Sequence, residues 1–94
     1  MNQAQMTPQQ RYTAATQKII PSVNEKNPYL KDQVGQCIFE FVSMMVPAER
    51  APKITGMLIE LPVEQIKQYM TSFDSLRGKV MEASQLIDSA EKQQ

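Results

Sequence analysis

An all-α fold, a small irregular bundle of about five helices, follows from three features of the sequence. Apolar residues recur at helical spacing in several segments. No segment alternates with the period of two that a half-buried strand requires. Prolines stand where one helical pattern stops and the next begins. A length of 94 residues suits one domain, and a chain this short buries a modest share of its surface.

Residues 1–18 open with Met1-Asn2-Gln3-Ala4-Gln5 and are rich in Gln, Ala and Thr. So polar a stretch buries too little apolar surface to order itself, and it reads as a largely disordered linker. Tyr12, Ile19 and Ile20 give a weak helical signal ahead of Pro21, so a frayed first helix is expected around 9–19. The folded domain is expected over residues 19–92.

The second helix is clearer. Asn27 suits an N-cap and Pro28 the first helical position. Leu30, Val34, Ile38, Phe41 and Met45 then recur at helical spacing, with Val42 beside them, and should face the core. Gly35, Phe39 and Ser43 follow one another on an adjacent face. Pro47 marks the stop, and Pro52 can open a third helix. Ile54, Leu58 and Leu61 share one face of that third helix, flanked by Met57 and Ile59. Pro62 opens a fourth helix edged by Val63, Ile66 and Met70. Ser72 caps the last, with Asp74 near its positive end and a stripe of Leu76, Val80, Ala83, Ile87 and Ala90.

The third helix is the most informative. It is apolar nearly all round and carries Gly56 in its middle, where glycine costs about 1 kcal/mol relative to alanine. Close backbone approach or room for a guest side chain explains such a residue. The residues alone leave two readings of Gly35 and Phe39: a tight helix crossing with ordinary core, or a pocket.

Composition narrows the function. Ten basic and ten acidic residues cancel, whereas a protein living on phosphate contacts needs a basic excess. Lys67, Arg77 and Lys79 read as solvated surface charge. Histidine is absent, so triads and zinc sites that need it are excluded, and no Gly-rich phosphate loop occurs. Glu60 and Glu64 read as a surface pair rather than an acid/base site. The sequence offers no positive case for an enzyme and none for a cofactor or a metal. The single Cys37 precludes an internal disulfide framework and reads as a small apolar residue. No apolar run approaches the length of a membrane span. Seven methionines supply flexible, polarizable side chains, which fill a small core or mould a surface to a peptide.

Lys53-Ile54-Thr55-Gly56-Met57-Leu58-Ile59-Glu60 is similar to the signature of the MLLE (PABC) domain, the C-terminal peptide-binding domain of poly(A)-binding protein, where the run is typically Lys-Ile-Thr-Gly-Met-Leu-Leu-Glu. A second block resembles the opening of that domain's last helix: Ser72, Asp74-Ser75-Leu76-Arg77, Lys79-Val80 and Glu82-Ala83. The resemblance spans roughly Tyr29 to Lys92.

The resemblance implies non-catalytic binding of short motifs in disordered tails, anchored by a phenylalanine and an earlier leucine. The phenylalanine pocket would be lined by Gly35, Gln36, Phe39, Lys53, Thr55, Gly56 and Ile59. The leucine pocket would be lined by Met57, Leu58, Lys79, Ala83, Leu86 and Ile87. Glu60 stands where a polar contact to the peptide is plausible. Partners would be translation, deadenylation and mRNA-turnover factors. The parent would be a cytoplasmic poly(A)-binding protein, and this domain a monomer that touches neither nucleic acid nor membrane. Two anchors less the ordering of the peptide suggest an affinity near the micromolar level, about −8 kcal/mol.

The sequence departs from the family pattern in places. Ile59 replaces the second leucine, Pro52 stands where glycine is common, Gln36 and Cys37 replace Glu and Arg, and Ala90 replaces a histidine. The aromatic anchor is expected to persist while flanking preferences shift. Two other readings compete. The same module occurs in a HECT-type ubiquitin ligase, toward which Glu60-Leu61 leans, while the Gln-rich start leans back toward poly(A)-binding protein. A structural helical domain for self-association is the third.

Overall fold

The computed structural model describes residues 6–92. Five α-helices follow in order: α1 (Pro8–Ile19), α2 (Leu30–Met45), α3 (Ala51–Ile59), α4 (Val63–Tyr69) and α5 (Phe73–Lys92). A 3-10 turn, Ile20–Ser22, closes α1. No strand occurs among the described residues, so the all-α expectation holds. The opening Met1-Asn2-Gln3-Ala4-Gln5 of the expected linker lies outside the described residues.

The first helix expected around 9–19 is present as α1, over most of the stretch that its composition reads as linker. Thr7 and Gln10 form a reciprocal capping box: the Gln10 amide donates to Thr7 Oγ1 at 3.1 Å, and the Thr7 amide donates to Gln10 Oε1 at 3.0 Å. Pro8 starts the helix without wasting a donor. Tyr12 is wholly buried, its ring edge-on to Phe41 at 5.0 Å and to Phe73 at 5.9 Å. Its hydroxyl donates to the Tyr69 carbonyl at 2.8 Å. A polar average coexists with a helix held by one aromatic anchor and a cap.

Helix α2 starts later than its sequence signals suggest, because Asn27 organises the turn before it. Its Oδ1 accepts from the Tyr29 amide at 2.9 Å, and its Nδ2 donates to the Ser22 carbonyl and to Gln33 Oε1. Val34, Ile38, Phe41 and Val42 are buried as their spacing requires. The helix stops before Pro47, which cannot continue the hydrogen-bond ladder.

Arg50 precedes α3 and ties it to α5. Its guanidinium donates to Ser84 Oγ at 3.0 Å and to Asp88 Oδ1 at 2.5 Å. Ala51, Ile54, Thr55 and Leu58 turn inward. Pro62 is the N-cap of α4, one position earlier than a first helical residue, with an extended backbone. Tyr69 closes that short helix, and its hydroxyl donates to the Leu58 carbonyl at 3.0 Å. The two tyrosines thus link α1 to α4 and α4 to α3 through buried hydrogen bonds. The Tyr12 hydroxyl satisfies the Tyr69 carbonyl inside the core, while the Tyr69 hydroxyl adds to the Leu58 carbonyl, which also accepts the Leu61 amide at 3.3 Å.

Ser72 caps α5, its Oγ accepting from the Ser75 amide at 3.1 Å. Leu76, Val80, Ala83 and Ile87 are buried, and so is Phe73 at the start. Ala90 is exposed, so the inward stripe ends at Ile87. Helix α5 packs on α1, α2, α3 and α4, and α2 packs closely along α3. That last pairing frames the site.

Candidate functional site

The two framing helices leave an open groove of about 620 Å³ between them. From α2 it is lined by Lys31, Asp32, Gly35, Gln36, Phe39 and Glu40, and from α3 by Pro52, Thr55, Gly56 and Ile59. The pattern is helical arithmetic. Asp32, Gly35, Gln36 and Phe39 stand at i, i+3, i+4 and i+7 on one helix, and Pro52, Thr55, Gly56 and Ile59 repeat that spacing on the other.

The glycines explain the depth of the groove. Neither has a positive φ, so neither is needed for backbone conformation. A Cβ added at Gly35 would stand 3.8 Å from Ile59 Cγ2 and 4.0 Å from Thr55 Cγ2, which is ordinary contact. A Cβ at Gly56 would meet nothing within 4 Å. The fold therefore accommodates alanine at both positions, yet carries the helix penalty of glycine twice. Close helix crossing, one of the two readings open at the level of the residues, does not account for them. Phe39 lies beside these gaps with 42% of its surface exposed, an uncovered aromatic wall.

The rim is polar and already paired. Arg11 Nη2 on α1 meets Glu40 Oε2 at 2.6 Å, and Lys31 Nζ meets Glu60 Oε2 at 2.8 Å across the end of the groove. Both pairs are solvent-exposed and contribute little to stability, so a ligand can displace them cheaply. Thr55 Oγ1, on the α3 wall, is buried with no hydrogen-bond partner among the described residues. Cys37 lies half-buried on α2, where burial and then the nearby Glu40 carboxylate push its thiol up to about 11.

Six of the seven residues expected in a phenylalanine pocket line this groove: Gly35, Gln36, Phe39, Thr55, Gly56 and Ile59. Lys53 does not. Pro52 takes its place, because it completes the spacing through Thr55, Gly56 and Ile59 while Lys53 is rotated about 100° off that face. Lys31, Asp32 and Glu40 went unrecognised, although the same spacing counted outward from Gly35 marks them.

The expected leucine set is divided. Leu58, Ala83 and Ile87 are core residues, and Met57 is half-buried. Leu86 is 63% exposed. Lys79, Ala83 and Leu86 share one stripe of α5 by their spacing. Yet Lys79 lines a separate cavity of about 250 Å³ with Gln68, Tyr69 and Ser75, and its ammonium pairs with Glu82 at 3.4 Å. A further apolar depression of about 540 Å³, absent from the sequence reading, lies between the start of α1, the end of α2 and α5. Met44, Met45, Met81 and Arg77 are among its walls.

A five-helix bundle with an open, glycine-lined groove has the form of a small helical binding module. The family model of the MLLE domain matches residues 23–87, and the chain belongs to that family. MLLE domains are non-catalytic modules that bind short peptide motifs in partner proteins. The matched segment includes the whole groove and begins after α1. Among curated proteins, "E3 ubiquitin-protein ligase hyd" of Drosophila melanogaster is 34% identical over 71 residues, covering 76% of this chain. The chain spans 2% of that protein's length. No solved structure matches the chain. Among the described residues, no helix is long and apolar enough to cross a membrane.

Proposed function

We propose that this chain grips an extended peptide in the α2–α3 groove, with a phenylalanine of the partner inserted between Gly35 and Gly56 against Phe39. The observation that carries this is the pair of helical glycines that the packing does not require, facing a groove with an exposed aromatic wall. A flat ring fills the space that two Cβ atoms would occupy, and its burial contributes about 1.5–3 kcal/mol. A leucine earlier in the peptide docks beside Met57, Leu58, Ala83, Leu86 and Ile87, with Lys79 at the edge. The exposed Leu86 is the apolar surface available for it. Affinity is near the micromolar level, about −8 kcal/mol, because the peptide is ordered on binding.

Calorimetry with a peptide carrying both anchors, and with its phenylalanine changed to alanine, tests the reading. The phenylalanine peptide binds at micromolar concentration and the alanine peptide loses at least about tenfold. Equal binding of the two would refute it.

Two parent proteins accommodate the module. One is a cytoplasmic poly(A)-binding protein whose partners are translation, deadenylation and mRNA-turnover factors, in keeping with the Gln-rich start. The other is a ubiquitin ligase, and the resemblance to the Drosophila ligase favours it. In either, catalysis or RNA binding belongs to other domains, and the module acts as a monomer. The sequence of the surrounding gene separates them by RNA-recognition repeats or a catalytic ligase domain.

A further inference from the structure

The α2–α3 groove does not stop at Ile59. A second depression of about 420 Å³ abuts it, sharing Lys31 and Ile59 as common walls. It lies between the connector before α2 and the α3–α4 junction, where Leu30, Leu61, Pro62 and Val63 form its apolar surface. Leu30, Leu61 and Val63 are only partly buried, each leaving apolar surface uncovered at the edge of the core. The boundary between the two depressions is the Lys31–Glu60 ion pair, both of whose side chains are largely in solvent.

The charge at this second depression is unbalanced. Lys31 and Glu60 neutralise one another, and Glu25 forms the remaining charged wall. Glu25 takes part in no ion pair among the described residues. An aliphatic side chain beside a lysine or arginine complements such a surface: the side chain covers Leu30, Leu61 and Val63, and the cation meets Glu25.

We propose that the partner peptide continues from the aromatic groove across the Lys31–Glu60 pair and seats a second aliphatic residue, next to a basic one, in this depression. The inference rests on the reading of the α2–α3 groove as the peptide site, because continuity with that groove supplies the occupant. Since the depressions share walls, the aliphatic residue lies about three residues from the phenylalanine in an extended chain. The Lys31–Glu60 pair becomes a clasp under the peptide backbone, offering it one donor group and one acceptor group. Motifs with the aliphatic–basic pair are thereby favoured over motifs with the phenylalanine alone.

Fluorescence anisotropy with the full chain tests this, using a labelled peptide that carries only the leucine and phenylalanine anchors. Two longer probes place Leu-Lys about three residues before or after the phenylalanine, and a control probe places Gly-Ser there. One Leu-Lys probe is expected to bind about tenfold tighter than the control. Val63→Glu should abolish that gain and leave the short peptide's Kd unchanged. Glu25→Gln, an exposed change that spares the core, should remove the part of the gain due to the basic residue and make it salt-independent. Equal affinity of both Leu-Lys probes and the control overturns the inference while the groove reading stands. So does a Val63→Glu variant, folded by circular dichroism, that weakens short and long peptides alike. If the short peptide does not bind at all, the groove reading fails and this inference falls with it.

Discussion

Gly35 on α2 and Ile59 on α3 face each other with room for one methyl group between them: a Cβ at Gly35 would lie 3.8 Å from Ile59 Cγ2. The fold would gain from filling that space, since alanine raises helix propensity and narrows the unfolded ensemble. Gly35→Ala and Gly56→Ala should each stabilise the domain by up to about 1 kcal/mol, raising Tm by about 4–8 °C. The same changes should weaken peptide binding at least about tenfold by occupying space meant for the ring. Thermal melts and titrations on one sample of each variant check the opposite signs. Loss of both stability and affinity would mean that the glycines serve packing.

Phe39 and Phe41 are neighbours with opposite assignments. Phe41 is buried against Tyr12, while Phe39 borders the groove. Phe41→Ala should cost about 3–5 kcal/mol in urea unfolding. Phe39→Ala should cost about 1 kcal/mol or less, yet lower peptide affinity about tenfold or more. Similar stability losses for the two would contradict the exposure of Phe39.

Helix α1 lies before the segment matched by the family, yet its Tyr12 is at the centre of the aromatic core. Deleting residues 1–19 should therefore destabilise the domain by about 3–5 kcal/mol, even though residues 23–87 remain intact. Tyr12→Phe should cost about 1–2 kcal/mol, because the Tyr69 carbonyl loses its donor. Urea midpoints of the deletion and the point variant check both. Unchanged midpoints would make α1 an ornament.

Cys37 predicts a pH dependence. Its thiol rises from 9.0 to about 11, so the neutral form is favoured in the fold. That contribution is fully present below pH 9.0 and is lost as pH rises from there through about 11. Burial raises the hydroxyls of Tyr12 and Tyr69 as well, which adds to alkaline destabilisation above pH 10.0. The raised thiol holds less thiolate at neutral pH, so alkylation of Cys37 should be slow until the protein unfolds. Reaction rates of native and urea-unfolded chain with iodoacetamide check it.

The core of α2 was legible because Val34, Ile38 and Phe41 fall at i, i+4 and i+7, and periodicity carries more information than any single residue. The boundaries were less so. Asn27 and Pro28 carry helix-start chemistry, but Asn27 uses its side chain to build a turn with Ser22 and Tyr29, a tertiary choice that composition does not reveal. Tyr12 gave a weak helical signal whose depth in the core its polar surrounding did not show, and Phe73 and Tyr69 stand at helix ends where no stripe is complete. At the groove, helical spacing put Gly35 and Phe39 on one face, but only the resemblance to the family pointed to a pocket there. Lys53 belongs to the motif but stands about 100° around α3 from the face that lines the groove.

The most direct test of the groove is an NMR titration of the isotope-labelled chain with the phenylalanine peptide and with its alanine counterpart. Shifts should concentrate at Asp32, Gly35, Gln36, Phe39, Thr55 and Gly56, the groove walls, and should vanish with the alanine peptide. Lys53, one position off the groove face, should move less than Gly56. Shifts confined instead to Met44, Met81 and Arg77, or none at near-millimolar peptide, would contradict the assignment of the α2–α3 groove as the peptide site.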